Sequence, residues 1–259
     1  MAQYCRFEQE GEASWGELED GWVAEIQDIF GLRQRTGRVF ARGAIKMLAP
    51  CDPPKVLAVG RNYKSHLHGR PQPVNPELFY KPVSCIVGPE AEIVLPPDAV
   101  NAHYEGELVV VIGKRLSKAT REEAAAAMFG VTCGNDVSER NWQNGKAPTG
   151  EGKDVQWWRA KGSDTFGTVG PWMVTGLDPD NLLLETRLNG ETVQCERTSD
   201  LIFNVPDTLA FVSRYVTLEA GDIVYTGTPG NTKAMKPGDV VEVEIEGVGV
   251  LRNQVVAGS

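Results

Sequence analysis

Apolar residues in this chain occur mainly in short unbroken runs or at alternate positions, the two patterns typical of β-strands. Beyond residue 50 such stretches follow one another closely. They are KVLAVG (55–60), SCIVG (84–88), EIVLPP (92–97), GELVVVIGK (106–114), VTCGND (131–136), TVGPWMVTG (168–176), LLLETRLNGETVQCER (182–197), DIVYTGTPG (222–230) and DVVEVEIEGVGVLRNQVV (239–256). Within the seventh stretch, Asn189 and Gly190 separate two alternating runs, a dipeptide that predicts a hairpin turn.

Two segments carry helical patterns instead. KATREEAAAAMFG (118–130) has Thr120 as a candidate N-cap, Glu123 as its capping-box partner and Gly130 as a stop signal. VPDTLAFVSRYVTL (205–218) is the second predicted helix. Strands outnumber helices and do not alternate with them regularly, so the pattern predicts an α+β fold dominated by β-strands.

Proline and glycine divide the chain into parts. Residues 1–50 alternate short apolar pieces with glycine and acids, and PCDPP follows them, which predicts a small β-rich N-terminal domain at 1–50 and a larger domain at 51–259. The segments 64–80 and 144–157 are irregular and predict loops that shape a site. Neither a GxGxxG nor a GxxxxGK[ST] motif occurs, so no dinucleotide or P-loop site is predicted.

Charge and composition disfavour several classes of binding partner and cellular location. With 259 residues, 41% hydrophobic, the chain can bury a sizeable core. A net charge of −9, without a basic stripe, disfavours nucleic acid. No run of about 18 apolar residues predicts a membrane span, and the acidic N-terminus does not resemble a signal peptide. The five cysteines are dispersed and never form a CxxC pair, which favours a reducing compartment over a disulfide framework or a cysteine zinc site. We therefore expect a cytoplasmic protein.

Two carboxylates begin the most apolar strand-like stretch. Because side chains alternate along a strand, Glu105 and Glu107 are predicted to lie on one face. An exposed strand start is the plainest explanation of such a pair, but the following LVVVIG is typical of a strand covered on both faces. Two acids there would be costly unless a cation compensates them or one takes up a proton.

A third acid, Asp136, follows the apolar stretch 131–134. Three carboxylates without a histidine cluster suit a hard cation, Mg²⁺ or Mn²⁺, and zinc is disfavoured. His103 shares the face of Glu105 and Glu107, so a histidine–carboxylate iron site is an alternative, ranked below a role for His103 in orienting its neighbours.

Five stretches in this order resemble the fumarylacetoacetate hydrolase family: VGRNYKSH, HYEGELVVVIGK, GNDVSERNWQ, RAKGSDTFGTVGP and GDIVYTGTPG. The resemblance covers residues 55–251, and the N-terminal stretch is similar to the small leading domain of many members. It implies a rolled β-sandwich, a homodimer and a divalent-metal site at Glu105, Glu107 and Asp136. The implied substrates are small keto or enol acids whose neighbouring oxygens chelate the metal.

Further residues are assigned by the same resemblance. Lys161 matches a lysine that contacts substrate near the metal, and Gln143 matches a glutamine that donates to a developing oxyanion. Gly227 and Thr228 match a segment that binds a substrate carboxylate through backbone N–H and hydroxyl. Arg140 has two alternative partners, an acidic substrate tail or Asp136.

His66 matches a histidine that many members pair with a glutamate three residues later to activate water. Here Gly69 stands at that position, so the usual partner of the imidazole is missing; His68 or Glu77 on the same loop are candidate replacements. This departure weakens the case for hydrolysis, because tautomerisation and decarboxylation need no activated water.

The sequence thus leads to a main hypothesis and two alternatives. The first is a Mg²⁺- or Mn²⁺-dependent enzyme that hydrolyses or isomerises a small 2-keto or 2-hydroxy-2,4-diene acid, such as an acylpyruvate, through a stabilised enolate. Decarboxylation or tautomerisation of the oxaloacetate type is close behind it. An alternative of another class is a non-catalytic binding protein with the same fold.

Overall fold

A computed structural model describes residues 1–146 and 153–259; residues 147–152, part of the predicted loop 144–157, lie outside the described residues. Within these ranges the chain forms nineteen strands. They are β1 (Gln3–Gln9), β2 (Glu12–Glu19), β3 (Trp22–Ile26), β4 (Arg35–Ala41), β5 (Lys46–Met47), β6 (Val56–Gly60), β7 (Glu77–Lys81), β8 (Ile86–Val87), β9 (Glu92–Leu95), β10 (Ala102–His103), β11 (Gly106–Ile112), β12 (Met128–Asp136), β13 (Ser138–Glu139), β14 (Gly167–Val174), β15 (Leu183–Leu188), β16 (Glu191–Arg197), β17 (Ile223–Tyr225), β18 (Val240–Ile245) and β19 (Gly249–Ala257).

The helices in the described ranges are short. The α-helices are α1 (Arg121–Ala127), α2 (Arg140–Asn144), α3 (Trp157–Gly162) and α4 (Val205–Ser213). Single 3₁₀ turns lie at Arg42–Ala44, Lys64–Leu67, Val83–Cys85 and Thr198–Asp200. None of these helices is long and apolar enough to cross a lipid bilayer.

The strands form two main sheets. The longer sheet has twelve strands in the order β4-β3-β2-β1-β14-β12-β11-β17-β6-β7, with β5 also pairing with β1 and β8 with β14. The shorter sheet has five strands in the order β16-β15-β18-β19-β9, and β10 pairs with β13 separately. This strand-dominated α+β architecture, a rolled β-sandwich, confirms the predicted fold class.

The main core lies between the two sheets. Leu108, Val110 and Ile112 of β11 face a layer contributed by β15, β18 and β19 that includes Leu184 and Val243. The intervening residues of β11 point the other way. Val109 and Val111 belong to a second apolar cluster together with Val56 and Tyr225. Strand β11 is therefore buried on both faces, as the LVVVIG run predicts.

Helix α1 begins as the sequence predicts but ends earlier. Thr120 and Glu123 form the reciprocal capping box, with Glu123 N–H donating to Thr120 Oγ1 at 3.2 Å and Thr120 N–H to Glu123 Oε2 at 2.9 Å. The helix ends at Ala127 rather than near Gly130, because residues from Met128 onward pair with β11. The second predicted helix likewise ends at Ser213, short of residue 218.

The Asn189–Gly190 hairpin is confirmed. It joins β15 to β16, and both residues have positive φ angles, 54° and 81°. Such a turn needs left-handed backbone at both central positions, which asparagine and glycine tolerate.

The N-terminal strands are hydrogen-bonded to the rest of the molecule. Strand β1 pairs with β14 through Gln3 and Tyr4, so β1–β4 extend the longer sheet, while Cys5, Phe7 and Val23 form a small cluster of their own. A domain boundary between residues 50 and 51 stays a prediction.

Free thiols offer a direct test of the burial pattern. Four of the five cysteines are buried and Cys195 on β16 is exposed. Burial raises the pKa of Cys51 to about 12 and that of Cys85 to about 11, which suppresses their reactive thiolates. We expect a thiol reagent at pH 8 to modify one thiol per native chain and five in denaturant. The Cys195→Ser variant should show no fast-reacting thiol; a second fast-reacting thiol would contradict the described packing.

Candidate active site

Three buried acids meet where β11 begins and β12 ends. Gly106 of β11 pairs with Asn135 of β12, and Asp136 N–H donates to the carbonyl of Glu105 at 2.9 Å. This register brings Asp136 beside the two glutamates that flank Gly106. One carboxylate oxygen from each of Glu105, Glu107 and Asp136 lies within 4.8 Å of the others, and at most 4% of each residue is exposed.

Lys161 bridges two of these acids. Its ammonium donates to Glu105 Oε2 at 2.5 Å and to Asp136 Oδ2 at 2.6 Å, from a position in α3. Burial works to lower the pKa of Lys161, but Asp136 and Glu105 outweigh it and raise the pKa. The lysine predicted from RAKGSD therefore lies at the acids as a charged group.

A second lysine, not identified from the sequence, holds Asp136 from the other side. Lys81 at the end of β7 is buried; its ammonium donates to Asp136 Oδ1 at 2.7 Å, to the Phe166 carbonyl at 3.2 Å and to the Lys161 carbonyl. All three ammonium protons are thus used. The sequence feature that could have identified Lys81 is its position at the end of the apolar stretch LFYK. Lysine is also common at exposed strand ends, so this feature does not by itself indicate a buried lysine.

Arg140 pairs with Glu105, which was neither of the two partners considered from the sequence. It also donates to Gln143 Oε1 at 2.7 Å and to Thr232 Oγ1 at 3.0 Å. Burial alone would raise the pKa of Glu105, but Arg140 and Lys161 hold it well below its usual range. Arg140 and Gln143 both belong to helix α2, and both line a cavity that is also lined by Glu105 and Glu107.

Glu107 differs from the other two acids. Its Oε2 accepts a hydrogen bond from Gly227 N–H at 2.7 Å, and no cation contacts its carboxylate within residues 1–146 and 153–259. Burial, and then the neighbouring Asp136 and Glu105, raise the pKa of Glu107 well above its usual range. An ionised carboxylate buried without a cation is costly, so the raised pKa favours the protonated form of Glu107.

In this structure the TGTP segment forms hydrogen bonds with other groups of the protein. Gly227 N–H is bonded to Glu107, and Thr228 Oγ1 donates to the Gly106 carbonyl at 2.9 Å while accepting from Gln194 Nε2 at 2.8 Å. The hydroxyl proton of Thr228 is therefore committed, although Thr228 lines the cavity. Substrate-carboxylate binding by Gly227 and Thr228 stays a prediction, and it requires an exchange of these contacts.

His66 lines the same cavity as Glu105 and Glu107. Its Nδ1 is 2.7 Å from the Gly230 carbonyl, which makes Nδ1 the protonated nitrogen, and its Nε2 is 4.0 Å from Glu105 Oε1. Burial lowers the pKa of His66, with Glu105 opposing the shift. The imidazole is thus neutral near pH 7 and points a free nitrogen toward the acids.

The position of the missing glutamate, residue 69, has no close neighbours in the described part of the chain. Gly69 has a φ of +80°, and apart from its chain neighbours no atom of residues 1–146 or 153–259 lies within 4 Å of where a Cβ would be. Neither candidate replacement orients His66 through a carboxylate. Glu77 is paired with Arg61, Nε to Oε2 at 2.6 Å, and His68 contacts His66 only ring to ring, with centroids 5.2 Å apart. The Gly230 carbonyl supplies the orientation instead.

Both ring nitrogens of His103 are hydrogen-bonded to residues other than the three acids. Nδ1 is 2.9 Å from Thr232 Oγ1 and Nε2 is 3.0 Å from Asn101 Oδ1, and burial followed by Arg140 lowers its pKa to about 4. His103 is outside the carboxylate group that could hold an ion. Its contacts fit a role in orienting Thr232, and through it Arg140, better than iron ligation.

The donor chemistry fits a hard divalent cation. Three carboxylates offer oxygen ligands from a buried site, and such a cation would stabilise the ionised form of Glu107, which burial and the neighbouring acids disfavour. Glu105, Glu107 and Asp136 are the residues that would hold Mg²⁺ or Mn²⁺. Their assignment as ligands stays a prediction, as do the roles of His66, Lys161 and Gln143.

Comparison with known families agrees with this architecture. Residues 55–256 match the model of the fumarylacetoacetate (FAA) hydrolase C-terminal domain, which covers well over half of the chain. The chain belongs to the fumarylacetoacetate hydrolase family. Residues 2–50 match a second model, described as Rv2993c-like, N-terminal.

Individual family members are similar over most of their length. A mitochondrial oxaloacetate tautomerase of Bos taurus is 41% identical over 231 residues, covering 84% of this chain and 72% of the relative. The crystal structure of 2-hydroxyhepta-2,4-diene-1,7-dioate isomerase from Mycobacterium marinum superposes with a TM-score of 0.91, at 37% identity and full coverage of both chains. Maleylpyruvate hydrolase from Sphingobium sp. SYK-6, in complex with manganese (II) ion and pyruvate, has a TM-score of 0.81, at 26% identity and coverage of 99% and 100%.

Proposed function

We propose that this family member is a divalent-metal-dependent enzyme that isomerises or tautomerises a small 2-oxo or 2-hydroxy-2,4-diene acid. The observation that carries the proposal is a cavity of about 560 Å³ that is lined by Glu105 and Glu107 of the three-carboxylate cluster together with the neutral, oriented imidazole of His66. The tautomerase and isomerase named above support the reaction class, and the manganese-bound hydrolase supports the metal.

A cation held by Glu105, Glu107 and Asp136 would supply Lewis-acid chemistry, which polarises a keto oxygen and stabilises enolate charge. The chain's own groups then move the proton. His66 Nε2 has the lone pair that can accept a proton from the carbon next to the keto group, because its Nδ1–H is committed to Gly230. The charged Lys161, within 2.6 Å of two of the acids, can donate to the oxygen that gains charge.

Proton transfer is favoured over hydrolysis by what surrounds His66. Hydrolysis requires a water activated by a base, and in the family pattern a glutamate stabilises the imidazolium that forms. Gly69 has no side chain to take that role. The backbone carbonyl of Gly230 orients the ring but is neutral, so it does not compensate the positive charge of an imidazolium as a glutamate would. A tautomerisation moves a proton between carbon and oxygen of the substrate within one cycle, so His66 needs neither an activated water nor a glutamate partner.

A substrate panel with Mn²⁺ tests the proposal. Oxaloacetate, acylpyruvates and a 2-hydroxy-2,4-dienedioate are incubated with the protein, and enol absorbance and product mass are followed. We expect metal-dependent loss of enol absorbance without a change in mass. Two products whose masses sum to that of the substrate plus one water would indicate hydrolysis, and loss of CO₂ would indicate decarboxylation. Metal binding without turnover of any substrate would favour the non-catalytic alternative.

The pH dependence of turnover tests the role of His66. Because burial lowers its pKa below the ordinary value of about 6.5, the neutral base persists through that pH. We expect kcat/KM to be flat at pH 7–8 and to fall only as the pH drops below 6.5. His66→Ala should lose roughly 100-fold or more in kcat together with that acidic limb. His68→Ala should keep the limb; a limb unchanged in His66→Ala would exclude His66 as the base.

A further inference from the structure

Gln194 is the one side chain of the five-stranded sheet that bonds directly to the backbone between the two glutamates, among the contacts of the described residues. It lies on β16, is 4% exposed and belongs to no motif identified in the sequence. Its Oε1 accepts from Gly106 N–H at 3.1 Å. Its Nε2 donates to Thr228 Oγ1 at 2.8 Å and to the Pro229 carbonyl at 2.6 Å. Every donor of this buried amide is used.

These contacts close a hydrogen-bonded ring. Thr228 Oγ1, which accepts from Gln194, donates in turn to the carbonyl of Gly106, so the N–H of Gly106 is bonded to Gln194 and its carbonyl to Thr228. Gly106 separates Glu105 from Glu107. The ring therefore fixes the peptide planes from which both carboxylates project, and it fixes the direction of the Thr228 hydroxyl proton.

We propose that Gln194 is a positioning residue, which sets the geometry of the Glu105–Gly106–Glu107 carboxylates toward a divalent cation without touching the cation or the substrate. The inference rests on the proposed metal dependence. It places control of the site in the second sheet, which contributes none of the three acids. Outer hydrogen-bond partners of metal ligands typically change metal affinity by about 10–100-fold when they are lost.

A neutral substitution separates geometry from charge. Gln194→Met keeps the length and approximate volume of the side chain and removes its hydrogen bonds, while the net charge of the site stays the same. Any change in metal affinity then arises from the arrangement of the carboxylates and not from Coulomb attraction. If Gln194→Met does not fold, Gln194→Asn retains an amide that is one methylene too short to reach all three partners.

The matched control is Asn253 on β19 of the same sheet. It is also a buried amide, whose Nδ2 donates to the carbonyls of Gly88 at 2.9 Å and Ala91 at 2.8 Å, and it makes no contact with the acids. Asn253→Leu should lower the melting temperature about as much as Gln194→Met does. A structural role alone would then give the two variants the same metal affinity.

The readout is Mn²⁺ binding to the metal-free full-length chain, by calorimetry and by the paramagnetic resonance spectrum of bound Mn²⁺. We expect Gln194→Met to weaken binding at least tenfold and to change the spectrum, and Asn253→Leu to leave both as in wild type. Equal affinities and spectra in the two variants would overturn the positioning role. Failure of the wild-type chain to bind Mn²⁺ would instead refute the proposed function itself.

Discussion

The Glu107→Gln variant is expected to lose metal-dependent turnover and to weaken Mn²⁺ binding by more than the roughly 100-fold that follows loss of an outer partner. The physical reason is the isolation of this carboxylate. Glu105 and Asp136 already bond to lysine or arginine, whereas Glu107 accepts one backbone hydrogen bond. Its ionised form is therefore the one that a bound cation would stabilise most.

Stability of the metal-free chain gives Glu107→Gln a second signature. The amide is isosteric and replaces a buried carboxyl group that no cation contacts in the described ranges and whose ionised form is disfavoured, so the melting temperature measured with a chelator present should not fall. Added Mn²⁺ should raise the melting temperature of wild type and not that of the variant. Glu244→Gln, a half-exposed acid in a surface cluster with Arg187, is the control and should behave as wild type. Normal Mn²⁺ stabilisation of Glu107→Gln would contradict the assignment of this ligand.

Gly106→Ala is expected to be strongly destabilising, although glycine in a strand is ordinarily replaceable. A Cβ at residue 106 would lie 1.9 Å from Thr186 Oγ1 and 3.2 Å from Gln194 Oε1, both on the second sheet. Overpacking of this kind costs up to about 3 kcal/mol, which for a chain of this size lowers the melting temperature by roughly 6–12 °C. Metal binding should weaken as well, because any shift at residue 106 moves both flanking carboxylates.

Two further variants check that explanation. Gly43→Ala places its new Cβ more than 4 Å from every other described part of the chain and should be close to neutral. The double variant Gly106→Ala with Thr186→Ala removes the nearest clashing atom, a hydroxyl without a hydrogen-bond partner among the described residues, and should recover part of the lost stability. Thermal unfolding of the four proteins decides the matter. A double variant no more stable than Gly106→Ala would show that the contact with Thr186 is not the cause.

Local patterns were sufficient for most of the strands and for the placement of Glu105 and Glu107. The two-residue repeat of a strand puts residues 105 and 107 on one face wherever the strand lies, and the LVVVIG run shows that this strand is covered on both sides. Helix α1 shows the limit. Its N-terminus depends on a side-chain cap within four residues, which sequence specifies, whereas its C-terminus was set by pairing of β12 with β11.

The sequence by itself predicted the strand-rich fold class, the three acids as candidates for one site and, through the resemblance, the family. Only the tertiary structure decided how cations meet those acids: Lys81 binds Asp136, Arg140 binds Glu105, and Lys161, which the resemblance had placed near the site, bridges Glu105 and Asp136. It also decided that Gly230 orients His66 and that Gln194 reaches Gly106 from the opposite sheet. These contacts join residues that are 25 to 164 positions apart. Periodicity constrains neighbours along one strand, but a contact between sheets depends on how both sheets pack.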